Sequence, residues 1–226
     1  MPIRLDSADA DFEPRFQHLL DGKRESSQDV NDIVAGIIAD VRARGDDAVV
    51  ELTNRFDRNH FTAADLRIGE AEIDGAASRV TPEVRAALQT AHDRILAHHE
   101  KQKPEDHIYT DPIGVVLGTR WTPVDAVGIY VPGGLATYPS SVLMNAVPAR
   151  VAGVGRIAMV VPTPDGQVAA PLLLAARIAG ITEIYRIGGA QAVAALAYGT
   201  ATIAPVDKIV GPGNAFVATA KRQVFG

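Results

Sequence analysis

The stretch IVGPGNAFVATAKRQ, residues 209–223, decides how the second half of the chain is read. Ile209 and Val210 run into Gly211, Pro212 and Gly213, and a helical pattern begins at Asn214. A strand that empties through glycines into a helix makes a seat for a phosphate, because the helix start offers free N–H groups and the positive end of its dipole. Upstream, the same strand-then-helix unit recurs. Strand 126–131 precedes helix 139–154, 156–162 precedes 168–179, 182–187 precedes 190–199, and 207–210 precedes 214–224. Stretches such as Ile157–Val161 are wholly apolar, as in a parallel sheet covered on both faces. The alternation predicts an α/β chain that ends in a Rossmann-like parallel-sheet domain over residues 126–226, with right-handed crossovers.

Residues 1–125 read differently, as a helical segment and part of a first α/β domain. Val30, Ile33, Val34, Ile37, Ile38 and Val41 keep a helical period over 26–44, up to Gly45. A second helix is expected over 46–56. Thr81 followed by Pro82 is a helix start, with a capping hydroxyl before a proline in the first turn. The stripe Val84, Leu88, Ala91, Ile95 continues it toward Pro104. Residues 61–75 carry no clear period, and 113–131 predict a hairpin leading into the first parallel strand.

Composition narrows the function classes. The chain has 226 residues, 47% hydrophobic and 22% charged, as in an ordinary globular protein. No apolar run reaches the roughly 18 residues of a membrane span. The N-terminus has no basic start followed by an apolar core, and a cytoplasmic location is expected. The chain has no cysteine, which removes disulfides, thiol catalysis and thiolate metal sites. Charge is uneven: residues 1–110 hold 22 acidic and 14 basic side chains, and 111–226 hold 5 and 8. The second part is therefore mildly attractive to anions, yet no basic stripe with interleaved aromatics points to nucleic acid.

In an open parallel sheet, ligands bind beyond the carboxyl ends of the strands. Those ends read Tyr130-Val131-Pro132-Gly133-Gly134, Pro162-Thr163-Pro164, Gly188-Gly189-Ala190-Gln191 and Gly211-Pro212-Gly213-Asn214. Glycine lets backbone approach a ligand closely, and glycine-rich ends on one predicted edge favour a diphosphate site. The 211–216 segment is not a full dinucleotide fingerprint, since Phe216 stands at the third glycine and no acidic residue follows. All six histidines, His18, His60, His92, His98, His99 and His107, precede the sheet. His98 and His99 diverge by about 100° on a helix and do not readily share a metal, and His92 and His99 lie two turns apart. No catalytic residue and no metal ligand is assigned within the chain.

Taken together, GIYVPGGLATYPSSVLMNAVPARVAGV (128–154), IGGAQAVAALAYGT (187–200) and VDKIVGPGNAFVATAKRQVFG (206–226) resemble histidinol dehydrogenases. VVELTNRFD (49–57) and HHEKQKP (98–104) extend the resemblance over nearly the whole chain. It implies an enzyme of histidine biosynthesis that uses NAD and zinc to oxidise L-histidinol to L-histidine through L-histidinaldehyde. It also implies a homodimer and NAD contacts at Tyr130, Gln191 and Asn214. The family's zinc ligands, its Glu–His acid/base pair and its substrate-touching serine lie downstream of KRQVFG. They map onto no residue here, so zinc belongs to the complete enzyme and this chain alone is expected to be inactive. The family's first α/β domain is split in sequence, which implies that residues 20–125 lack sheet partners. Two other readings stay open: a non-catalytic NAD-binding or assembly module derived from that enzyme, and an unrelated oxidoreductase of aldehyde dehydrogenase type. The absence of a cysteine nucleophile counts against the last.

Overall fold

The computed structural model describes residues 3–133 and 138–225, with side chains described at all of these except 21–28 and 77. Gly134, part of the first predicted glycine-rich end, lies outside the described residues. Four short parallel strands, β3 (Ala126–Tyr130), β4 (Arg156–Val160), β5 (Glu183–Tyr185) and β6 (Lys208–Val210), form one sheet in the order β5-β4-β3-β6. Side chains alternate across it with the period of two that a strand imposes. Val127, Ile129, Val131, Ile157, Met159 and Val161 enter one core, and Tyr130, Ala158, Val160 and Tyr185 enter the other.

Both faces are covered, which is why these strands are apolar on both sides. Helices α5 (Pro139–Ala152) and α6 (Ala170–Ile178) cover the first face, α7 (Gly189–Tyr198) and α8 (Ala215–Gln223) the second. The N-terminal helices form an outer layer. α1 (Phe12–Arg44) packs on α7 and α8, and α2 (Asp46–Asp57) packs on α1 and α7. α3 (Glu70–Ser78) lies on α6, and α4 (Pro82–Glu100) lies on α5 and α6. Gly45, at φ 57°, breaks α1 from α2 in a backbone conformation that a side chain disfavours. Thr81 caps α4 as expected, its hydroxyl accepting from the Val84 N–H at 3.4 Å.

Two sequence expectations need correction. The first helix starts at Phe12 rather than near residue 26. The hairpin lies earlier than 113–131. It joins β1 (His107–Thr110) to β2 (Val116–Thr119), and no strand forms over 120–125. The Asp111 carboxylate sets the turn by accepting from the Ile113 and Val115 N–H groups. All eight strand residues are exposed, so no buried face marks the pattern. Among the described residues β1 and β2 pair only with each other. Residues 61–75 hold a 3-10 turn at Ala63–Asp65 and the start of α3. Between them the chain runs beside β5, with an antiparallel bridge at Arg67–Tyr185.

The edge of the sheet away from the strand ends is tied by charge. The Arg156 guanidinium holds the Glu183 carboxylate through two bonds of 2.7 and 2.9 Å, and donates to the Ala204 and Pro205 carbonyls. Burial works to raise the Glu183 pKa, but the hydrogen bonds from Arg156 and Tyr185 outweigh it and hold the carboxyl below its ordinary value of 4.5. A carboxyl with a depressed folded pKa stabilises the fold fully above its unfolded pKa and loses that contribution as pH falls through the folded value. Glu183→Gln should therefore lower stability by about 1–3 kcal/mol at neutral pH. In denaturant titrations the difference from the parent protein should shrink as pH falls below 4.5. A gap that persists unchanged in acid would show that the charge is not its source.

Candidate functional site

The strands of the parallel sheet open their carboxyl ends on one edge, and the loops there are packed against each other. A Cβ built on Gly133 would lie 2.2 Å from the Pro162 carbonyl oxygen, and one on Gly188 would lie 2.5 Å from the Pro162 Cβ. Gly211, at φ 103°, would set its Cβ 2.0 Å from the Tyr130 carbonyl oxygen. These glycines are therefore required first by the crowding of loop on loop, and only then by any approach of a ligand. A cavity of about 1060 Å³ opens beside them. It sits at the upper end of the roughly 300–1,000 Å³ usual for small-molecule sites.

Tyr130, Gln191 and Asn214 all line this cavity. Tyr130 ends β3 on the α7 side and is buried, and its hydroxyl oxygen accepts the Gly189 N–H at 3.0 Å. That bond satisfies one of the free donors at the start of α7 and leaves the phenol proton available. Burial raises the Tyr130 pKa, which keeps the phenol protonated. Gln191, in the first turn of α7, is 2% exposed, and its Oε1 has no partner among the described residues. Such a buried, unpaired acceptor costs roughly 1–3 kcal/mol unless a donor reaches it. Asn214 is the N-cap of α8: its Oδ1 accepts the Val217 N–H at 3.1 Å, so only its amide NH₂ is left for a ligand. Lys221, in the last turn of α8, donates to the Gly211 carbonyl at 2.9 Å and steadies the same loop.

The opposite wall comes from a part of the chain to which sequence reasoning gave no site. Ile33 and Ile37 of α1 and Leu52, Phe56 and Asp57 of α2 face the glycine-rich loops across the cavity. No local signal in these helices distinguishes that face from an ordinary amphipathic stripe. The histidines stay apart from the cavity lining. Among the described residues no group of three or more His, Asp or Glu comes together in a way that holds a metal ion. His98 and His99 stand with ring centroids 5.1 Å apart in an edge-on contact, and His92 Nδ1 lies 2.9 Å from its neighbour Asp93.

The family model for histidinol dehydrogenase matches residues 20–226. The chain belongs to the histidinol dehydrogenase family. The histidinol dehydrogenase of Ruegeria pomeroyi is 65% identical over all 226 residues, which make up 52% of that relative. That of Rhodospirillum rubrum is 62% identical over the same span, again 52% of its length. The crystal structure of histidinol dehydrogenase from Elizabethkingia anophelis superposes with a TM-score of 0.82 at 36% identity, covering 85% of this chain and 44% of that one. The chain thus spans about half the length of the curated relatives it matches. Family membership agrees with the resemblance carried by the 128–154, 187–200 and 206–226 blocks.

The capping role of Asn214 separates two effects of its replacement. Asn214→Ala removes both the cap and the amide, and should cost about 0.5–2 kcal/mol of stability. Asn214→Ser keeps a capping oxygen and should stay within a few tenths of a kcal/mol of the parent. Equal losses in thermal unfolding of the two variants would contradict the capping geometry.

Proposed function

We propose that residues 126–226, together with the α1–α2 wall, form the NAD site of a histidinol dehydrogenase. The reading is supported above all by the convergence of Tyr130, Gln191 and Asn214 on one cavity at the carboxyl edge of a parallel sheet. The unpaired Oε1 of Gln191 accepts a ligand N–H or O–H, the Asn214 amide donates, and the free phenol proton of Tyr130 donates beside the start of α7. The starts of α7 and α8 both line the cavity and favour a diphosphate. NAD, when bound, would supply the hydride acceptor: one molecule for the hydride from the alcohol carbon of L-histidinol and a second for the hydride from the hydrated aldehyde derived from it. The chain's own residues hold and orient that cofactor.

The described residues do not fit a zinc site, since among them no three His, Asp or Glu side chains come together. The zinc ligands and the acid/base pair of the family are proposed to belong to sequence that these 226 residues do not contain. In this reading the complete enzyme is a cytoplasmic homodimer that converts L-histidinol to L-histidine. A dehydrogenation with no positioned base has little to lower its barrier, so the 226-residue chain is a cofactor-binding half without turnover.

Two measurements test this. Calorimetric titration of the chain with NAD should show saturable binding, weakened by roughly 1–2 kcal/mol in Asn214→Ser, where the cap is kept and one ligand hydrogen bond is lost. Unchanged affinity in that variant would remove Asn214 from the site. Incubation of the same chain with L-histidinol, NAD and zinc should give no NADH above background, and steady NADH formation would refute the division of labour.

A further inference from the structure

Arg58 and Asp165 are the only residues other than glycine with a left-handed backbone among the described residues, both at φ 56°. A side chain disfavours that conformation, and positions that keep it cluster at clamps and switches. Here the two residues hold each other. The Arg58 guanidinium donates to both carboxylate oxygens of Asp165, at 2.6 and 2.9 Å, and so joins the end of α2 to the loop after β4. The neighbours of Arg58 repeat the tie. Asp57 Oδ2 accepts the Thr163 N–H at 3.0 Å, and the Asn59 amide donates to the Thr163 carbonyl at 3.0 Å.

Among the described residues, every hydrogen bond that leaves 163–167 ends on Asp57, Arg58 or Asn59. The other bonds of this loop are its own, from the Gly166 N–H to the Thr163 carbonyl and from the Gln167 N–H to the Pro164 carbonyl. Residues 58–61, by contrast, are anchored to α2, because the Asn54 side chain pairs with both the N–H and the carbonyl of Phe61. The end of α2 is therefore the one hydrogen-bonded fastening of the loop. Asp57 stands on one side of it and Pro164 on the other, and both line the cavity.

Closure is opposed as well as held. Besides the two left-handed residues, the hydroxyls of Thr163 and of Thr53, one turn before Asp57, are buried with no partner among the described residues. Burial also pushes the Asp57 carboxyl up, against the Thr163 N–H and the Arg58 charge. The Arg58 and Asp165 side chains are 65% and 61% exposed, so salt screens their pairing. Ties offset in this way leave a segment that opens far more easily than the fold as a whole.

We propose that residues 163–167 are a flap over one side of the cavity and residues 57–59 its latch, with the three ties forming and breaking as one. When the latch opens, the wall between Asp57 and Pro164 parts. The cavity then gains a way in along the seam between the N-terminal helices and the parallel sheet. The device acts on any ligand of the cavity, whatever its chemistry.

The test is residue-resolved hydrogen exchange on the full chain, in the parent and in Asp165→Asn, at low and high salt. Asparagine tolerates a left-handed backbone but carries no charge. In the parent, the Thr163 amide should exchange about 100-fold or more faster than that of Val161, which is bonded to the Tyr185 carbonyl in the sheet. Raising NaCl from about 0.05 M to about 0.5 M should speed Thr163 about threefold and leave Val161 unchanged. Asp165→Asn should speed Thr163 by a similar factor and abolish its response to salt, although Asp165 makes no bond to that amide. A Thr163 amide as slow as Val161, or no more sensitive to salt, overturns the proposal in the parent alone, which guards against a variant that fails to fold. Unchanged Thr163 exchange in a folded Asp165→Asn protein also overturns it, because the ties would then be independent.

Discussion

Pro162 leaves no room for a side chain at Gly133 or Gly188, and the Tyr130 carbonyl leaves none at Gly211. The carboxyl edge of the sheet is therefore a set of interlocked backbones, with glycine required wherever two loops meet. This interlock brings the ends of β3, β5 and β6 within one cavity, although Tyr130, Gln191 and Asn214 are far apart in sequence. It also fixes the directions of α7 and α8, whose first residues inherit the positions of Gly188 and Gly213. A substitution at any of these glycines would move a loop before it touched a ligand.

The same crowding explains how much of the site was legible. Glycine pairs after apolar runs located three of the loops, and the family resemblance placed Tyr130, Gln191 and Asn214 in them. The contacts that the structure shows at these glycines are of loop on loop. The sheet was readable because strands buried on both faces are apolar throughout, and the helices between them are bounded by Gly153, Gly180 and Gly199. Exposed strands offer no such signal, and the His107–Thr119 hairpin was accordingly displaced in the reading. The place of Asp57 in the cavity wall was invisible for a different reason. Its partner Thr163 is 106 residues away, and no local pattern in VVELTNRFD tells a packing face from a cavity wall.

The N-terminal helices thus have two roles that the charge asymmetry alone did not reveal. Their acidic faces keep the outer layer wet, and their apolar faces complete the two cores. α1 contributes Val34, Ile38 and Val41 to the core above α7 and α8, and α3 contributes Ile73 and Ala76 to the one above α6. α2 goes further, since the residues just past its packed face clamp the loop after β4 through Asp57, Arg58 and Asn59. The position at which the cavity ends is therefore set by a contact between the two halves of the chain.

Gln191 sets a buried polar acceptor beside that contact. Its side chain lies in a shell of buried α7 residues, yet Oε1 has no donor among the described residues. A leucine or methionine there would fill similar space with no polar atom to desolvate, so the amide is not explained by packing. Any donor that reaches Oε1, a water or a group of a ligand, relieves a penalty of roughly 1–3 kcal/mol. Nearby, the phenol proton of Tyr130 and the NH₂ of Asn214 are already oriented, because their oxygens are held by the Gly189 and Val217 N–H groups. A ligand with both donors and acceptors finds these groups fixed in place. Groups held in this way lower the ordering cost of binding, which lets modest contacts select a ligand.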